Sequence, residues 1–325
     1  MILASERSGT NLLRVLLGRH KEISAPVAVH FFNTFISTIS YYGDLSIKKN
    51  AVKLMQHFLF SANHPYTNWK LEASPEDIVK QYSVNSFESA FDSIYKAYAN
   101  ISKKEHYVSK DNDLFNHYNL LDKLDNEETE THYIYLHRDP RDQAVSWLKT
   151  PIFLHTIFDI AHKWNNEQNT IRKLLDKEKI IQIKYEDLID DTEKQMSRLL
   201  RELGLEIDEN CFTTDSDNTE SKRNELWKNL SKPILKNNKK KYKEKLTQRE
   251  IKMIETICKN NMVYLNYPIE TNANWKDTFG LYRNFVLPNK RLREKKKNEA
   301  FYENKMSSLS SKIQLLERLK NEIRS

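Results

Sequence analysis

The sequence predicts an α/β fold: a central parallel sheet flanked by helices, with a helical C-terminal extension. Two observations carry that prediction. Short apolar runs at Ile2-Leu3-Ala4, at Tyr133-Ile134-Tyr135-Leu136 and at Ile180-Ile181-Gln182-Ile183 read as strands, and the second is apolar on both faces, as strands of a covered parallel sheet are. Segments with helical apolar spacing alternate with these runs, and strand–helix alternation calls for a parallel sheet with helices on both faces.

Bulk properties narrow the class. The chain has 325 residues, enough for one large domain or two ordinary ones, with 39% hydrophobic and 30% charged residues. No apolar run reaches the roughly 18–20 residues that a membrane span needs. The first strand begins at once, so no signal peptide is expected and the expected location is cytoplasmic. Cys211 and Cys258 make no disulfide framework and have no metal-type spacing, so reduced thiols and no metal are expected. The net charge of +7 is concentrated at Lys236–Lys245 and Lys290–Lys297. Such runs read as solvated helix faces or as contacts for a polyanion.

In chain order, the first strand runs into Ser5-Glu6-Arg7-Ser8-Gly9-Thr10-Asn11, and Leu12-Leu13-Arg14-Val15-Leu16-Leu17 continues as a helix. A strand-to-helix loop of this kind binds anions, because helix amides and the positive dipole end point into it. Arg7 adds a forked charged donor, Thr10 and Asn11 add polar donors, and Gly9 permits close approach. The loop lacks the G-x-x-x-x-G-K-[ST] pattern of a Walker A motif.

Ile23-Ser24-Ala25 reads as a second strand, and His30 falls just past its end, where a near-neutral imidazole makes a natural base. Residues 31–105 read as mostly helical and acceptor-side. Phe87, Phe91, Tyr95 and Tyr98 share one helix face, read as core or as the lining of a pocket. A third strand at His106-Tyr107-Val108 points Lys110 toward the carboxyl edge of the sheet, where open α/β folds bind ligands.

After Tyr133–Leu136 come His137 and Arg138-Asp139-Pro140-Arg141-Asp142. Asp139 is a natural N-cap, Pro140 fits the first helical position, and Asp142 suits the first turn. Arg138 therefore sits at the strand tip. Ser146 lies two turns into the helix, where guanidinium and hydroxyl together can grip a phosphate. Ile180–Tyr185 forms another strand. One helix is expected from Glu186 through Leu203, stopped by Gly204, then a loop over 206–224 and a helix over Leu246–Tyr264. From Pro288, Met306, Leu309, Ile313, Leu316, Leu319 and Ile323 approximate a short heptad seam that could pair with a second chain.

Taken together, Arg7-Ser8-Gly9-Thr10 and Arg138-Asp139-Pro140-Arg141-Asp142 with Ser146 resemble the two cofactor signatures of sulfotransferases that use 3′-phosphoadenosine 5′-phosphosulfate (PAPS). Tyr185-Glu186-Asp187-Leu188 and Met262–Tyr267 are similar to further segments of that family. The resemblance covers most of residues 1–267 and implies the P-loop-like sulfotransferase fold, while the composition shift at Pro288 sets the expected domain at 1–287 with 288–325 as a basic helical extension. It implies that Arg7, Ser8, Gly9, Thr10 and Asn11 hold the 5′-phosphosulfate, and that Arg138 and Ser146 hold the 3′-phosphate. Tyr185 and Lys232 are weaker candidates on the nucleotide side, and Lys110 matches a lysine near the sulfuryl oxygens. The acidic base of tyrosylprotein sulfotransferases is missing from Ala25–His30, so His30 is the expected base, with Arg7 and Lys110 as the other catalytic groups. The Lys-Thr-His segment of the small-molecule enzymes is also missing. A hydroxyl on a glycan or glycolipid is then the expected acceptor, the adenosine 3′,5′-bisphosphate PAP the product, and nucleic acid not the expected partner. The alternatives are a kinase-like P-loop enzyme and a non-catalytic basic module for nucleic acid or anionic glycan.

Overall fold

The computed structural model describes residues 1–111, 114–124, 129–149, 156–175, 180–214, 220, 229–274 and 280. The extension at 288–325 with its heptad seam, the basic run Lys290–Lys297, and much of the 206–224 loop lie outside the described residues.

In chain order the elements are β1 (Ile2–Leu3), α1 (Thr10–Gly18), β2 (Ile23–Ser24), α2 (Phe31–Phe35), α3 (Lys48–Ala62), α4 (Pro75–Gln81), α5 (Phe87–Ile101) and β3 (His106–Tyr107). There follow α6 (Tyr118–Leu121), β4 (Tyr133–His137), α7 (Pro140–Leu148), α8 (Ile157–Arg172), β5 (Ile180–Lys184), α9 (Tyr185–Asp190), α10 (Thr192–Glu202), α11 (Tyr242–Lys245) and α12 (Gln248–Tyr264). All strand pairings are parallel. β4 lies between β1 and β5, with Ile2 opposite Ile134 and Tyr133 opposite Ile180, while β2 pairs with β3 through Ile23 and His106. The Ile2 amide donates to the Ser109 carbonyl at 3.0 Å. The strands thus form a three-stranded sheet, β1-β4-β5, and a two-stranded sheet, β2-β3, and that bond sets the end of β3 beside β1, giving the spatial order β2-β3-β1-β4-β5.

Period-two alternation then sorts the core. Leu3, Tyr133 and Tyr135 face one layer, with Phe31, Phe58, Phe91, Trp164 and Ile254. Ile2, Ile134 and Leu136 face the other, with Leu13, Leu16, Leu17, Leu199 and Leu200 from α1 and α10. The fold is thus the α/β class expected, with helices on both faces. The aromatics of α2, α3 and α5 form core: Phe31, Phe35, Phe58 and Phe91 are fully buried, and the Phe31 and Phe58 rings stack at 4.5 Å. Tyr98 is half-buried beside them and Tyr41 is exposed.

One expected helix is divided and two others start elsewhere than expected. The single helix expected from Glu186 to Leu203 breaks at Asp191, whose backbone leaves the helical region at φ −140°, ψ 74°. Its carboxylate accepts from the Lys194 amide at 3.1 Å, so Asp191 caps α10 rather than continuing α9. The helix expected to open at Leu246 starts instead at Gln248, because Thr247 and Glu250 form a capping box. α1 opens earlier than expected, at Thr10, because Gly9 ends the preceding loop in the left-handed region, at φ 97°.

Candidate active site

The first candidate anion cradle forms where β1 hands the chain to α1. Arg7 and Gly9 both take positive φ, 69° and 97°. For Arg7 that is a backbone state that side chains rarely adopt, and such strain gathers at ligand sites. The first intrahelical bond runs from the Leu13 amide to the Gly9 carbonyl at 3.2 Å. The amides before it have no intrahelical acceptor. No side chain caps this end and no acid sits in its first turn. An anion is therefore the natural complement of the amides at Thr10 and Asn11.

The loop is held from beneath. A Cβ on Gly9 would lie 2.3 Å from Cδ2 of Tyr185, so the backbone there rests against the ring. The fully buried Ser8 donates to Gln143 Oε1 at 3.4 Å, and the Gln143 amide donates to the Glu6 carbonyl. Ser5 accepts from Gln168 at 2.7 Å.

The second cradle forms where β4 hands the chain to α7. Asp139 caps the helix as expected, accepting from the Arg141 amide at 2.9 Å, with Pro140 next. Arg138 is buried, and its guanidinium carbon lies 4.3 Å from the centre of the Tyr185 ring. It donates to the Arg7 carbonyl at 3.3 Å and to the Asn238 carbonyl at 2.9 Å, and its Nε is buried without a hydrogen-bond partner. Arg7 Nε donates to Ser146 Oγ at 3.1 Å. The two loops are therefore in direct contact. Burial lowers the proton affinity of the Arg7 guanidinium, and the neighbouring Arg138 charge lowers it further. Two crowded guanidiniums are relieved by a bound anion.

His30, Lys110 and Asp111 form the third part of the site. Burial, together with the charge of Lys110, brings the His30 imidazole down to about 3, away from the near-neutral value on which its expected base role rested: the ring is unprotonated near pH 7 but weakly basic. Burial also lowers the Lys110 ammonium to about 8, and both Arg7 and Arg14 act on it in the same direction. Lys110 thus links His30 to the first cradle. Lys232 stands apart: it is exposed, its amide donates to the Asn229 carbonyl, and its own carbonyl accepts from Thr214. Tyr185 is a platform under Gly9 and Arg138, and its hydroxyl accepts from Asn238 at 2.6 Å.

Several supporting residues carry no sequence signature. Gln143 braces the first loop from α7. Asn238 braces Arg138 from a segment a hundred residues away, which Asp142 holds by accepting from the Lys240 and Tyr242 amides. The expected run of charges at Lys236–Lys245 was the only hint of that segment. Among the described residues, no group of three or more His, Cys, Asp or Glu side chains could hold a metal ion.

The described family model "Sulfotransferase family" matches residues 1–209, more than half of the chain. The chain belongs to the sulfotransferase family. Among solved structures, the sulfotransferase domain from the curacin biosynthetic pathway matches with a TM-score of 0.55 at 16% identity, over 82% of this chain and 97% of that one. The sulfotransferase domain from the Synechococcus PCC 7002 olefin synthase matches with a TM-score of 0.46 at 16% identity, over 88% of this chain and 93% of that one. No curated protein matches the chain by sequence. The curacin-pathway likeness agrees with the parallel sheet and its helical layers. Both cradles fall within the matched residues.

Proposed function

We propose that this sulfotransferase moves the sulfuryl group of PAPS to an acceptor hydroxyl on a saccharide or glycolipid. The observation that supports it most is the contact between the two loops, in which the Arg138 guanidinium donates to the Arg7 carbonyl at 3.3 Å. A doubly phosphorylated donor needs two anion sites at that short remove. In this reading the amides of α1, with Arg7, Ser8, Gly9, Thr10 and Asn11, hold the 5′-phosphosulfate. Arg138 and Ser146 hold the 3′-phosphate, and Tyr185 supports both sides.

His30 takes the acceptor proton as the acceptor oxygen bonds to sulfur. The bond between sulfur and the bridging oxygen breaks, and PAP departs with its electron pair. Arg7 and Lys110 meet the charge growing on that oxygen, so that positioning and electrostatics carry the rate. The cations Arg7 and Lys110, with the aromatic residues of 31–105 nearby in sequence, support an acceptor bearing hydroxyl and acidic groups. Cys211 and Cys258 are free and buried, which supports a reducing compartment, the cytoplasm. Among the described residues, no helix is long and apolar enough to cross a membrane.

Thermal melts with PAP, ATP and heparin test the donor. PAP is expected to raise Tm at concentrations where ATP and heparin do little. Equal stabilisation by ATP would favour a kinase-like nucleotide site, and stabilisation by heparin alone a basic binding module. Transfer of labelled sulfate from PAPS to arrays of glycans, lipids and peptides tests the acceptor, and labelling confined to peptides would overturn the saccharide assignment.

A further inference from the structure

We propose that Asp111 is a positioning residue that fixes His30 for proton abstraction, which rests on the base role given to His30 above. His30 occupies the N-cap of α2 at φ 62°, ψ 47°, a left-handed state that residues with a Cβ enter at a cost. Nothing on the helix's own cap residue accepts a hydrogen bond. α4 and α5 are capped locally, by Ser74 and Ser86. α2 is capped from across the site, because its cap position is occupied by an imidazole.

The cap is Asp111. Its Oδ1 accepts from the His30 amide at 2.8 Å, over 81 residues of sequence, and the Phe31 and Phe32 amides face the same carboxylate. Phe31 and Phe32 are locked in the aromatic core, so the His30 peptide is the adjustable joint. Fixing that peptide fixes the direction of the His30 Cβ and hence the reach of the ring. Asp111 also follows Lys110 directly, so a single short segment past β3 sets both the cation and the base.

The carboxylate is expensive where it stands. Asp111 is 4% exposed, and its Oδ2 is buried without a hydrogen-bond partner. Burial raises its pKa to about 6 against the pull of the three amides and Lys110.

Steady-state kinetics of D111A and D111N, with PAP affinity and melting curves for each, test the assignment. D111A is expected to lower kcat about tenfold or more, since a small misplacement of a reacting group costs that much. PAP affinity and the donor KM should stay within about twofold, as misplacing His30 leaves the binding contacts intact. D111N retains the acceptor oxygen and should recover most of kcat. In the unsubstituted protein, the His30 amide proton should exchange slowly. An unchanged kcat in D111A, a loss of kcat matched by an equal loss of PAP affinity, or rapid exchange at the His30 amide would each overturn the proposal. If the unsubstituted protein binds no PAP, the donor assignment fails by itself. The exchange rate at His30, measured without any variant, then still decides whether Asp111 holds that peptide.

Discussion

Lys110 is protonated below its pKa of about 8 and loses its charge as pH rises through that value. If it meets the charge on the departing oxygen, kcat should fall on the alkaline side with a midpoint near 8. K110R keeps its charge far above that range, so the falling limb should move out of reach. The same group shapes stability with a fixed sign. Its folded pKa lies below the unfolded value of 10.5, so the unfolded chain binds more protons between the two. Stability should therefore rise as pH climbs from about 8 toward 10.5, and K110M should lose that rise in denaturant titrations. Gly9 gives the second residue-scale expectation. At φ 97° and against the Tyr185 ring, any side chain must push the loop away. G9A should weaken PAP binding by about tenfold or more, the range given by 1–3 kcal/mol of backbone strain, measurable by calorimetry. Arg7, Gly9 and Arg138 were legible in the sequence because each sits at a strand tip with turn chemistry beside it. Asp111 and Gln143 were not, since a carboxylate after Lys110 and an amide inside α7 look like ordinary polar positions until distant segments meet them.

At the scale of elements, the position of α7 is set by a buried network that the sequence hides. Arg141 is fully buried. It pairs with Asp139 at 2.7 Å and with Glu255 of α12 at 2.6 Å, and stacks on Tyr242 at 4.2 Å. The paired carboxylates hold its guanidinium charged, well above the usual arginine range, despite burial. Glu255 also accepts from the Glu270 and Thr271 amides at 3.0 and 2.8 Å. One guanidinium thus ties the helix bearing Ser146 to the helix that closes the domain. Removing it leaves two buried carboxylates uncompensated, so R141M should destabilise by about 3–5 kcal/mol, read from urea unfolding. A loss below about 1 kcal/mol would mean that solvent reaches the pair. Helices with a broad apolar stripe were legible, but α8 was not assigned, and the breaks were set by capping competition. Asp191 and Thr247 each offer a side-chain acceptor where a continuous apolar stripe suggested none was needed.

At the scale of the whole molecule, segments from distant parts of the chain bring the candidate site residues to the carboxyl ends of two neighbouring parallel sheets. β1 delivers Arg7, β3 delivers Lys110 and Asp111, and β4 delivers Arg138. The 238–242 segment returns to brace Arg138 through the Asn238 carbonyl. Strand types were readable one by one from apolar runs, but the order β2-β3-β1-β4-β5 was not, because two-residue ladders carry no register of their own in sequence. The convergence makes a prediction that tests the two loops as a unit. PAP binding should slow amide exchange together at the start of α1, at the tip of β4 entering α7, and across residues 238–242, since a ligand that spans both guanidiniums couples their supports. The amides of α4, packed on the far aromatic layer, should be unaffected. Protection limited to the start of α1 would show that only one phosphate is held, and that the second cradle serves the fold rather than the donor.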